Sequence, residues 1–133
     1  FELHIYTNTN VEKEYITHKQ DGYPYSQLKE IFDNTDLLIV PSQWYETFGF
    51  TVLEALSYGV PVMVTNKVGA SDLLSMGKFG FIVCDEQMTH DTILMLIKER
   101  KRLSRINDCI MNFDWETIIK ESNSFILESY KNE

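Results

Sequence analysis

At 133 residues, with 44% apolar and 24% charged side chains, the chain fits one globular domain able to bury a core without disulfide staples. A formal net charge of −8 disfavours nucleic acid as a partner, and no apolar run approaches the roughly 18 to 20 residues that cross a bilayer. Cys84 and Cys109 stand in apolar contexts without CxxC spacing, which predicts reduced, buried thiols and a cytoplasmic setting.

In chain order, residues 2 to 6 alternate in large and branched side chains ahead of a polar TNTN turn and predict a strand. The chain opens on Phe1 in the middle of this pattern, without a signal-peptide start, so we expect a piece of a longer polypeptide. A second short strand is expected at Tyr15 to Thr17. Tyr25 to Asn34 carries Leu28, Ile31 and Phe32 at helical spacing with Ser26 as a candidate cap, and DLLIV (36–40) then reads as a buried strand running into Pro41.

Phe50 to Tyr58 repeats the helical pattern through Val52, Leu53 and Leu56, Gly59 suits a left-handed helix end, and PVMVT (61–65) resumes as a strand. A short helix at Ser71 to Met76, a strand at Gly80 to Cys84 and helices at Met88 to Lys98, Leu103 to Met111 and Trp115 to Tyr130 complete the pattern. Strands apolar throughout and separated by helices imply an α/β fold with a doubly wound, Rossmann-like parallel sheet.

In such sheets ligands gather beyond the carboxyl ends of strands, where helix N-termini offer unpaired N–H groups to anions. Three junctions are readable, one of them TNTN after Leu3 to Tyr6, and the other two carry Gly where backbone must come close to a ligand or turn sharply. After DLLIV comes PSQWYETFGF, where Gly49 opens a helix whose backbone at Phe50, Thr51 and Val52 would face a pyrophosphate without a side-chain charge. Glu46 could accept hydrogen bonds from sugar hydroxyls or be an exposed loop acid. Glu54 could reach a ribose or close a capping box with Thr51. Trp44 and Tyr45 could pack beneath the loop or stack on a ring.

After PVMVT comes Gly69-Ala70-Ser71-Asp72, either a second backbone cradle or a helix start with Ser71 as cap and Asp72 on the helix dipole. His4, His18 and His90 stand alone, which argues against a metal site. Neither Gly-x-Ser-x-Gly nor a Walker loop occurs. KERKR, Lys98 to Arg102, reads as a solvated helix face or a patch for an anionic membrane surface.

The block DLLIVPSQWYETFGFTVLEALSYGVPVMVT resembles the signature of retaining glycosyltransferases of the GT-B fold, a family that includes sucrose synthase and bacterial glycogen synthase. Glu46 and Glu54 fall on its E-x7-E spacing, flanked by Pro41-Ser42, Phe48-Gly49, Leu53-Glu54-Ala55 and Gly59-Val60-Pro61, and the resemblance extends to Phe113-Asp114-Trp115. It implies a C-terminal donor-binding half in which Glu46 contacts the donor sugar and Glu54 the ribose. The Phe48 to Thr51 backbone, with Gly49 and Phe50, would lie at sugar and diphosphate, and Gly69 and Ala70 would form a second cradle.

The implied reaction is transfer from a UDP- or GDP-linked sugar with retained configuration, in polysaccharide, glycolipid or glycoprotein synthesis. No cofactor and no metal would be needed, and D-x-D is absent. The family usually shows Gly-Gly-x-x-Glu where this chain reads Gly69-Ala70-Ser71-Asp72, so the second cradle departs from the pattern. Its diphosphate-neutralising Arg and Lys, its central strand and its acceptor domain would lie upstream of residue 1. The sheet is therefore expected to close a gap or borrow a strand, and the chain alone to bind donor weakly and catalyse nothing. Beside this reading stand a non-catalytic or activating GT-B-like module and a related epimerase or phosphorylase.

Overall fold

The computed structural model describes residues 1–10, 14 and 16–116; the expected helix at Trp115 to Tyr130 lies outside them from residue 117 onward. Strand β1 (His4–Ile5) pairs in parallel with β2 (His18–Lys19). After a 3₁₀ turn at Tyr25–Gln27 come α1 (Leu28–Asp33), β3 (Leu38–Val40), α2 (Phe50–Ser57) and β4 (Val62–Thr65). Then follow α3 (Ser71–Gly77), β5 (Gly80–Val83), α4 (Glu86–Lys98) and α5 (Lys101–Met111).

The α/β class and its parallel sheet are as expected: β3, β4 and β5 form one three-stranded sheet in that order, flanked by helices. Central β4 is its apolar spine, with Val62, Met63 and Val64 fully buried. The cross-register pair Val62 and Gly80 brings the two strands so close that a Cβ on Gly80 would lie 1.8 Å from the Val62 carbonyl oxygen.

β1 and β2 form a separate ladder, and no backbone pairing joins it to β3 among the described residues. That separation explains why β3 departs from the expected buried strand: Leu38, Ile39 and Val40 line a sheet edge and are only half-buried. Strand 2 to 6 is likewise shorter than its alternation suggested. The second strand falls at His18–Lys19 rather than Tyr15 to Thr17.

The main core joins Val52 and Leu56 of α2, Val62 and Val64 of β4, Leu74 of α3, Phe79, and Ile106 and Ile110 of α5. Phe113 and Trp115 close it against Phe79, with ring centroids 4.8 and 5.0 Å away. A second cluster seats Leu28 and Phe32 of α1 on Ala55 and Val60, with Tyr23 and Leu38 beside it.

Helix ends differ from the sequence-based expectation where local side chains decide. Ser26 makes no cap bond, and the segment starts as a 3₁₀ turn. Ala70 rather than Ser71 caps α3. Helix α4 begins two residues early because the Asp85 carboxylate accepts the Met88 N–H at 2.7 Å. Gly59 takes the expected left-handed conformation, φ +74°, and its carbonyl accepts from the Asn107 amide at 2.7 Å.

Both cysteines are exposed, against the expectation of burial. Cys84 follows the end of β5, and Cys109 is turned about 100° around α5 from the core-facing Ile110.

Candidate functional site at the carboxyl ends of β3 and β4

Pro41, lacking an N–H, ends the β3 ladder, but parallel pairing resumes beyond it as an isolated bridge between Glu46 and Val68. The Glu46 N–H donates to the Lys67 carbonyl at 3.0 Å, and the Gly69 N–H to the Glu46 carbonyl at 3.1 Å. The Ala70 N–H donates to the Phe48 carbonyl at 2.7 Å. The two strand-end loops are thus sewn together, and a Cβ on Gly69 would lie 2.3 Å from the Thr47 carbonyl oxygen. Gly69 and Ala70 spend these N–H groups on the protein's own loop, so in this arrangement they shape the cradle that holds Glu46.

The half-buried Glu46 carboxylate is fixed on one side, where the Ser42 hydroxyl donates to Oε1. Ser42 is itself placed by its carbonyl, which accepts from the Thr65 hydroxyl at 2.6 Å. Lys67 reaches the Gln43 carbonyl at 2.8 Å. The other carboxylate oxygen, Oε2, lies 3.6 Å from where a Gly49 Cβ would stand. Gly49 has φ +88°, the left-handed region, and the same Cβ would press to 2.8 Å on Val68 Cγ1. Only glycine fits here, since both the dihedral and the space exclude a side chain.

Gly49 is also the N-cap of α2, with no side chain capping the helix. The capping-box alternative for Thr51 and Glu54 is therefore not what forms: counted from Gly49, Thr51 is the second helical residue and Glu54 the fifth. Instead the Glu54 Oε2 atom accepts a 3.0 Å hydrogen bond from the Tyr23 hydroxyl. Burial, then the hydrogen bond to Glu54 and its negative charge, raise the Tyr23 phenol above its ordinary pKa of 10.0. Tyr23 stays a proton donor at neutral pH.

Sequence reasoning did not assign Tyr23 or Ser42 a role. Tyr23 sits 31 positions from Glu54, and no local pattern links them. The four-residue step from Ser42 to Glu46 was within reach, but outside a helix it predicts no contact.

The first-turn N–H groups of Phe50 and Thr51 have no intrahelical acceptor, as at any helix start. Around them is a rim of aromatic side chains. Trp44 and Tyr45 are 83% and 89% exposed, which rules out packing beneath the loop, and Phe48 and Phe50 lie 5.3 Å apart, tilted by 55°. Among the described residues no cluster of His, Cys, Asp or Glu is arranged to hold a metal ion. The site can offer two fixed carboxylate acceptors, a helix N-terminus between them and exposed rings beside it. That set suits a hydroxyl-rich ligand carrying negative charge at its middle.

Comparison with known proteins agrees with the fold. The chain is 24% identical over 123 residues to spore coat protein SA of Bacillus subtilis strain 168, covering 86% of this chain and 32% of that one. It is 30% identical over 112 residues to D-inositol 3-phosphate glycosyltransferase of Rhodococcus opacus strain B4, covering 79% and 24%. To a sucrose synthase of Solanum tuberosum it is 32% identical over 81 residues, covering 61% and 10%. The chain thus spans a third or less of the length of these curated relatives. The family described as Glycosyl transferases group 1 matches residues 7–109, and the chain belongs to that family.

Proposed function

We propose that this chain is the donor-binding half of a retaining glycosyltransferase, a hexosyltransferase using a UDP- or GDP-linked sugar. The carrying observation is the Glu46 carboxylate, pinned by Ser42 beside the left-handed Gly49 that opens α2. Glu46 accepts hydroxyls of the donor sugar, Glu54 accepts ribose hydroxyls, and the Phe50 and Thr51 amides take the diphosphate charge between them. Phe48 and the Gly69–Ala70 loop shape the sugar end.

In the reaction the bond from the anomeric carbon to the diphosphate oxygen breaks, and the acceptor oxygen bonds to that carbon on the same face. The acceptor proton passes to the departing diphosphate. Fixed dipoles and carboxylates stabilise the opposite charges that develop, without reorganising at the moment of reaction. The acceptor domain, a pair of diphosphate-neutralising cations and a strand between β1 and β3 belong, on this reading, to other parts of the same polypeptide. The edge of β3, unpaired among the described residues, supports that assignment. Hydrogen exchange on the intact protein tests it: UDP or GDP is expected to protect amides at Phe50 and Thr51, and unchanged exchange there with either nucleotide would contradict it.

A further inference from the structure

The cations of this acidic chain are unevenly placed. Half of its 12 Lys and Arg residues, namely Lys78, Lys98, Arg100, Lys101, Arg102 and Arg105, line one groove of about 1050 Å³ against a single acid, Glu99. The groove follows the edge of β5 left unpaired among the described residues and the junction of α4 with α5. It reaches Gly80 at the amino end of β5, away from the Glu46 site at the carboxyl ends of the strands.

Among the described residues, Arg102 is the groove cation that the protein's own side chains engage. It lies 3.8 Å from Glu99, donates to Met95 Sδ at 3.2 Å and sits 5.7 Å above the Phe81 ring. Among the described residues, none of the other five cations has an acid at ion-pair distance. The groove floor is apolar, with Phe81, Ile82 and Ile97. Ile97 is 41% exposed, and Leu94, one turn earlier on α4, is 42% exposed.

We propose that this face docks on an anionic lipid bilayer, with the cations at the headgroups and Ile97 and Leu94 at the acyl boundary. A soluble anion would satisfy the cations and leave both apolar side chains wet, whereas an interface takes both. The rest of the chain is strongly acidic, so a negative leaflet repels it and admits one orientation. No described helix is long and apolar enough to cross a membrane; attachment through these cations is salt-dependent. The proposal does not depend on the donor site.

Co-sedimentation of the intact protein with vesicles tests it. Binding is expected to phosphatidylcholine vesicles doped with phosphatidylglycerol, to weaken as salt is raised, and to be absent with phosphatidylcholine alone. Each basic residue near such a surface contributes about fivefold to partitioning, so K98Q/K101Q/R105Q should lower it by about two orders of magnitude. Ile97→Asn should lower it several-fold without altering binding to soluble heparin. Lys29→Gln, whose ammonium already pairs with Asp33 on α1, serves as control and should bind as wild type. Equal binding to neutral vesicles, a triple variant that sediments like wild type, or an Ile97→Asn variant with unchanged vesicle binding would overturn the proposal.

Discussion

Glu46 and Glu54 differ less in chemistry than in what holds them. Ser42 fixes Glu46 through a loop stitched to β4, while Tyr23 reaches Glu54 from a distant part of the chain. Removing the phenol by Tyr23→Phe should cost about 1 kcal/mol of donor binding, read as a raised KM with kcat retained. The sign of the pH dependence follows from the raised phenol pKa. The donated bond is present throughout the range below 10.0 and is lost as pH rises through the higher folded value. Donor affinity of the wild type should therefore fall in strongly alkaline solution, and that of Tyr23→Phe should not show this step. Gly49→Ala forces a side chain into φ +88° and onto Val68, and should destabilise the protein by roughly 1 to 3 kcal/mol in thermal unfolding while weakening donor binding.

At the scale of elements, the parallel sheet was legible because LIV, VMVT and GFIV are short apolar runs with no polar alternation. The left-handed end at Gly59 was legible for the same kind of reason: a glycine just past an apolar helical pattern. What the sequence could not show depends on distant partners. Thr51 and Glu54 carry the spacing of a capping box, but the cap fell on Gly49, because the backbone there must clear Val68 and the Glu46 carboxylate. The E-x7-E spacing pointed to both carboxylates, yet the bonds that orient them were invisible, since Tyr23 meets Glu54 only through the tertiary fold.

The contact between β4 and β5 is correspondingly intolerant. Gly80→Ala would drive a methyl into the Val62 carbonyl, which is backbone and cannot rotate away, and should cost about 2 to 3 kcal/mol in urea unfolding. Asn107→Ala removes the amide that reaches the Gly59 carbonyl from α5 and should cost about 1 kcal/mol, measured the same way.

Across the whole molecule, two asymmetries organise function. Among the described residues the strands form two separate ladders, with β1 and β2 apart from β3, so the half-exposed Leu38, Ile39 and Val40 face the side on which a further strand would complete the sheet. Charge is divided as well: cations gather along the β5 edge, while the Glu46 site presents backbone amides and carboxylates in an otherwise acidic chain. At the carboxyl ends of the strands, where no Lys or Arg cluster gathers among the described residues, an anion would have to be held by amides that outweigh the surrounding acids, which gives the helix opened by Gly49 its weight.

The most direct test is sugar transfer by the intact protein carrying Glu46→Gln, which keeps the size of the side chain and removes its charge. We expect turnover to fall by about a hundredfold or more while the fold and nucleotide diphosphate binding persist, because the lost interaction belongs to the transition state. Turnover equal to wild type in that variant would contradict the account.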